Sequence, residues 1–261
     1  MPLRLRKASI STILCSLALG FISLPQVLAE KSLLTLGDDE SFPGVIVENV
    51  VIPLPSEIFL VLDKLGGDGW EVNRELLEDA RVRGGREGMA LLLGVVIAEG
   101  FVGAQAEDPE AIRSVGRNVL RLADALGLRE EVEAHCQAIL DAVDSSDWKT
   151  IRAEFDRAEL SVRSTMERMD DEDLAQCVSI GGWIRGTGVV AENIGKAYTA
   201  DRAELLNQSL IIEHLQVETD RMTNATEGGR STDLLVAVSA GLATMTGILE
   251  TANKEGFSAL R

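Results

Sequence analysis

The chain has 261 residues, 46% of them hydrophobic and only 4% aromatic, and its 25 Lys and Arg against 42 Asp and Glu leave a net charge of −17. So acidic a surface repels phosphate backbones and argues against nucleic acid as a partner, and it gives no electrostatic hold on anionic lipid. A core rich in Leu, Val, Ile and Ala but poor in aromatic rings points to packed helices rather than a β-sandwich.

The first residues read as a secretory signal. Arg4, Arg6 and Lys7 precede an apolar stretch over 8–24, Pro25 and Gln26 break it, and Val27-Leu28-Ala29 offers small side chains for cleavage after Ala29. The alternative, a retained membrane anchor, is weaker, because the run is short of the roughly 20 residues of a spanning helix and carries serines. Leu14 before Cys15 is too bulky for lipoprotein processing. Removing residues 1–29 takes away three basic and no acidic residues, which moves the charge from −17 to −20. The expected location is the bacterial periplasm or the outside of the cell, with no stable membrane insertion after cleavage. Cys136 and Cys177 then remain. In an oxidising compartment they are either a disulfide or two separately buried thiols, and the sequence leaves both open.

Residues 30–54 form a predicted extended arm, irregular around Asp38, Asp39, Glu40 and Pro43 and strand-like over 45–52 until Pro53 and Pro55 end it. From Ser56 onward the apolar period is helical. The expected helices are 56–66, 71–82, 85–106 and 109–126, then 128–143, 147–169, 172–199 and 201–223, and a ninth over 232–253. The clearest begins with Asp108 as N-cap and Pro109 at the first helical position, carries Ile112, Val115, Val119, Leu122 and Leu126 on one face, and stops at Gly127. Asp201 and Glu204 have capping-box spacing. In the last helix the apolar part, 234–249, is too short and too rich in Ser and Thr to span a membrane comfortably.

An internal repeat organises these helices. Leu62-Asp63 precedes Trp70 at the interval by which Leu140-Asp141 precedes Trp148. Arg74, Leu77, Glu78 and Ala80 then align with Arg152, Phe155, Asp156 and Ala158, Gly94 and Gly100 with Gly182 and Gly188, and Asp108 with Asp201. The expectation is therefore an all-α protein of about nine helices, built from a duplicated four-helix unit plus a C-terminal helix in bundle-like or stacked-hairpin packing. Its parts are a signal over 1–29, the arm over 30–54, units over 55–127 and 128–224, and a closing segment over 225–261, all packed as one domain.

Few residues point to chemistry. Trp70 and Trp148 read as structural anchors of equivalent turns. Glycine inside a helix costs up to about 1 kcal/mol relative to alanine, so Gly94, Gly100, Gly182 and Gly188 need a compensating close approach of two helices about a pseudo-twofold axis. Glu99 sits in the apolar run of one Gly-rich helix and Arg185 in the other, so the two charges would meet near that axis. With Trp183 they form the one candidate ligand site. Gly186-Thr187-Gly188-Val189-Val190-Ala191 has the form of a dinucleotide turn but lacks the strands that turn requires. His135 adjoins Cys136, yet neighbours on a helix diverge by about 100° and rarely share a metal. No G-x-S-x-G motif marks a hydrolase, and no metal or cofactor is expected. The reading is an exported helical binding, interaction or scaffold protein, more readily non-enzymatic than not, whose partner is a protein or a second copy. The alternative is a periplasmic small-molecule binder or an enzyme of unfamiliar type, with a polar site between the Gly-rich helices.

Overall fold

The structure is a computed structural model. It describes residues 70–82, 85–169, 171–225 and 232–257, together with the backbone of 45–47 and 50–52. The predicted signal, most of the predicted arm and the predicted helix 56–66 lie outside these residues. The strand-like stretch forms two short strands, β1 (Val45–Val47) and β2 (Val50–Ile52), paired antiparallel with Ile46 opposite Val51, and β2 lies beside α8.

All other described elements are helical: α1 (Arg74–Asp79), α2 (Arg86–Gln105), α3 (Pro109–Leu126), α4 (Arg129–Asp144), α5 (Trp148–Arg168), α6 (Glu172–Lys196), α7 (Ala200–Ala203) with a 3₁₀ turn over Glu204–Leu206, α8 (Ser209–Ala225) and α9 (Thr232–Glu255). Local chemistry sets their ends. Asp108 Oδ1 accepts from the Ala111 N–H at 3.0 Å, and Gly127 closes α3 in the left-handed region at φ +79°. Asp147 caps α5 through the Thr150 N–H at 3.1 Å and the Thr150 hydroxyl at 2.7 Å. The expected helix 201–223 does not form as one piece. Thr199, not Asp201, is the N-cap, its Oγ1 accepting from the Arg202 N–H, and the chain breaks at Asn207 and Gln208 before α8 begins. The expected helix 71–82 shrinks to six residues because Asn73 Oδ1 caps it late, at the Leu76 N–H. Trp70 consequently lies before that cap, whereas Trp148 opens α5, so the two tryptophans are not in equivalent places.

The fold is organised around α2 and α6, which run parallel. Arg86 meets Asp171 at 2.8 Å where both helices start, and Glu99 meets Arg185 toward their C-terminal ends. Between these points the backbones nearly touch. A Cβ on Gly94 would stand 1.9 Å from the Val178 carbonyl oxygen, and one on Gly181 would stand 2.0 Å from that of Leu91. Gly94 and Gly181 are 87 residues apart, as are Leu91 and Val178, so a local twofold axis exchanges the two contacts. The glycine that answers Gly94 is thus Gly181, one place before the expected Gly182, whose backbone N lies at the same contact. Gly100 has a different purpose: a Cβ there would strike the Phe155 ring of α5 at 2.3 Å, and Phe155 tilts against Phe101 with ring centroids 5.3 Å apart. Gly188 makes no close approach, its nearest neighbour being Arg185 Nη1 at 3.9 Å. The exchange is seen at the contact of α2 with α6. Beyond them α3 lies along the length of α2, while α8 touches α6 only lightly.

Successive helices alternate in direction around this pair. α3 folds back on α2, α4 and α5 form a hairpin, and α5 packs on both α2 and α6. α8 runs antiparallel to α6, with Met222 at Cys177 and Gln208 at Trp183, and α9 returns along α8, with Ser239 at Gln216 and Asn253 at Asn207. α2 is buried on nearly every side, which explains why its apolar residues mark no single face.

The contact predicts its own test. Gly94→Ala and Gly181→Ala should each destabilise the chain by roughly 1–3 kcal/mol, because a carbonyl oxygen must retreat. Gly116→Ala, in α3 with open space at its Cβ position, should stabilise by about 0.5–1 kcal/mol. Urea unfolding that ranks the three variants in any other order contradicts the packing.

Candidate functional site

Glu99 and Arg185 come together as the sequence leads one to expect. The Glu99 side chain is wholly buried. Its Oε1 accepts from Arg185 Nε, and its Oε2 accepts from the backbone N–H of Asn73 at 3.0 Å. Arg185 reaches a second carboxylate, Glu192 Oε1, at 3.3 Å. The buried carboxylate therefore spends both oxygens inside the protein: one joins α2 to α6, and the other holds the residue that caps α1. Nearby, Lys196 pairs with Glu71 at 3.4 Å, which ties the same stretch of chain to the end of α6.

Trp183 does not join them. Two residues before Arg185 on a helix, it points about 200° away, is almost fully buried, and donates its indole N–H to Gln208 Oε1 at 2.9 Å. Gln208 in turn donates to the Leu205 carbonyl at 3.2 Å, so Trp183 fastens the break between the 3₁₀ turn and α8. An open groove of about 520 Å³ lies elsewhere, at the end of α3 and the start of α4, lined by Arg117, Leu120, Arg121, Asp124 and Arg129.

The two cysteines are both buried free thiols. Cys177 lies 3.9 Å from Met222 Sδ, and Cys136 sits on α4, so the disulfide alternative is not the one this fold adopts. Burial, then the nearby Glu133 carboxylate, pushes the Cys136 thiol up to about 11. Burial, then Glu87, Asp173 and Asp171, pushes Cys177 up to about 12. Both stay protonated near neutral pH and are poor nucleophiles.

One cluster has no counterpart in the sequence reading. His135 of α4 lies between two residues of α5, with Nδ1 2.8 Å from Glu154 Oε2 and Nε2 3.1 Å from Ser161 Oγ. Arg157 Nη1 donates to the other Glu154 oxygen. The hydrogen bond from His135, followed by Arg157, holds the Glu154 carboxyl below the usual carboxylate range. An ionised Glu154 requires the proton on Nδ1, which leaves Nε2 of a neutral ring to accept from the Ser161 hydroxyl. Glu154 and Ser161 lie seven residues apart, hence on one face of α5. That spacing is visible in the sequence, but only the pairing of α4 with α5 brings a histidine between them. Among the described residues no group of three or more His, Cys, Asp and Glu side chains is placed to hold a metal ion. Comparisons with protein-family models, with curated proteins and with solved structures find no match.

Two outcomes follow. Arg185→Met strands a buried carboxylate and should cost about 3–5 kcal/mol, of which the double variant Glu99→Leu with Arg185→Met should recover a large part. A double variant no more stable than the single one would show that the charge pair is not what the position needs. For the thiols, iodoacetamide should modify neither Cys136 nor Cys177 in the native chain, and both after unfolding without reductant. A disulfide-linked peptide joining the two would overturn the assignment.

Proposed function

We propose that this is an exported helical interaction protein of the bacterial cell envelope, working through the outward face of α9 and taking a second copy of itself as partner. The carrying observation is the condition of that helix. α2 and α9 are both candidate membrane spans by helix length and mean hydropathy, yet 78% of the apolar window of α2 is buried against 17% of that of α9. α9 seats a heptad seam, with Leu235, Leu242, Leu249 and Ala252 buried and Val238 and Met245 packed against the core. Its remaining surface is uncharged from Leu234 to Leu249, and Leu234, Val236 and Ile248 stand nearly half exposed.

The partner is read from the pattern. The exposed residues Ala237, Gly241, Thr244, Gly247 and Thr251 are spaced symmetrically about Thr244. Two copies laid antiparallel therefore present this stripe to itself, as an isologous interface requires. The threonines add no polar barrier: Thr244, Thr246 and Thr251 donate their hydroxyls to carbonyls one turn back, at 2.9, 3.2 and 2.9 Å. The uncharged stretch of 16 residues would cover only about 24 Å, short of the roughly 30 Å of a bilayer core. The rival reading, a polar small-molecule site around Glu99, Trp183 and Arg185, has less support. Backbone contact fills the centre between the Gly-rich helices, and the three side chains spend their polar atoms on protein partners.

Sedimentation of the mature protein tests the proposal. A Cβ on Gly241 or Gly247 meets open space, so Gly241→Leu with Gly247→Leu should leave the monomer at least as stable while blocking close approach. The wild type should dimerise at micromolar concentration and the variant should weaken dimerisation at least tenfold. A wild type that stays monomeric at high concentration, or a dimer indifferent to both substitutions, rejects α9 as the self-association surface. Flotation with neutral vesicles would transfer the face to lipid instead.

A further inference from the structure

We propose that Ser161, His135 and Glu154 form a nucleophilic site on the outer side of the α4–α5 hairpin, able to cleave carboxylic esters through an acyl-serine intermediate. The three stand in the relation that activates a serine: hydroxyl to base at 3.1 Å, base to carboxylate at 2.8 Å through the opposite ring nitrogen. Each partner is fixed by the fold. Glu154 is buried, and its second oxygen is taken by Arg157. His135 and Ser161 are half-buried, at the edge of solvent, where a substrate can reach them. The chain order, His then Glu then Ser, is immaterial, because the relation is one of geometry.

The chemistry closes on these groups and water. Ser161 Oγ adds to the ester carbonyl carbon while its proton passes to His135 Nε2. The carbon–oxygen bond to the alcohol breaks, and that proton leaves with the alcohol. Water then gives a proton to the same nitrogen as it attacks the acyl-serine, and the serine takes the proton back as the acid departs. Glu154 is a positioning residue: it keeps Nδ1 protonated and offsets the charge of the imidazolium in both halves.

A fluorophosphonate probe and p-nitrophenyl acetate, applied to the full-length chain, test this. The probe should add one mass equivalent, mapped to Ser161, and p-nitrophenol release should show a burst near one per chain. Ser161→Ala and His135→Gln should each lower labelling and hydrolysis by about 100-fold or more, with helical circular dichroism unchanged. Ser161→Cys should restore acylation as a thioester, which a purely structural hydroxyl would not do. Glu154→Gln should shift the half-maximal pH of hydrolysis downward, since the imidazolium loses its counter-charge. Absence of an adduct at Ser161 in the folded wild type, or hydrolysis unaffected by Ser161→Ala, overturns the proposal. Dimerisation through α9 is read separately, so either reading can fail without the other.

Discussion

The close approach of α2 to α6 is the constraint on which the rest of the fold depends. A single side chain at Gly94 or Gly181 would collide with a carbonyl oxygen, so the two helices have one compatible register. That register sets Arg86 beside Asp171 and brings Arg185 to Glu99. It also leaves room at Gly100 for the ring of Phe155, which seats α5 and with it the α4–α5 hairpin. At Gly94 and Gly181 the cost of a helical glycine, up to about 1 kcal/mol, is offset by backbone contact that no larger residue would permit.

The central ion pair behaves as a fastener. A buried charge pair is weak evidence of stability, since desolvation takes back much of the attraction, but losing one partner is severe. Glu99 gains a backbone N–H besides its arginine, and through that bond the centre of the fold fixes the start of α1. The surface is different. Its ion pairs, such as Arg113 with Glu110 and Asp144, are exposed and contribute little each. With acidic residues far in excess, the stretch of 16 uncharged residues on α9 is a described region that charge repulsion does not guard.

Much of this was legible in the sequence, and the errors have specific causes. The periodicity and caps of α3 are local: an aspartate, a proline and a glycine at fixed offsets decide both ends. The meeting of Glu99 with Arg185 was legible because each interrupts an apolar, glycine-rich run that has to be buried. The expected helix over 201–223 failed because Gln208 is engaged with Trp183, a side chain 25 residues away, and a capping-box spacing cannot reveal that competition. The grouping of Trp183 with Arg185 failed because residues two apart on a helix face opposite ways. The glycines were assigned one shared purpose, and the fold gives Gly94, Gly100 and Gly188 three different surroundings.

By itself the sequence determined what depends on neighbours along the chain: helical class, most helix boundaries, the excess of acidic residues, and the apolar, glycine-rich runs around Glu99 and Arg185. The tertiary structure decided what depends on register between helices. It buried α2 and left α9 exposed although their compositions are alike, kept Cys136 and Cys177 apart, and slid His135 between Glu154 and Ser161. The physical reason is that the period of 3.6 residues fixes where a side chain points around its own axis, whereas what it meets there is set by the sliding and direction of a second helix, and those are settled only when the whole core closes.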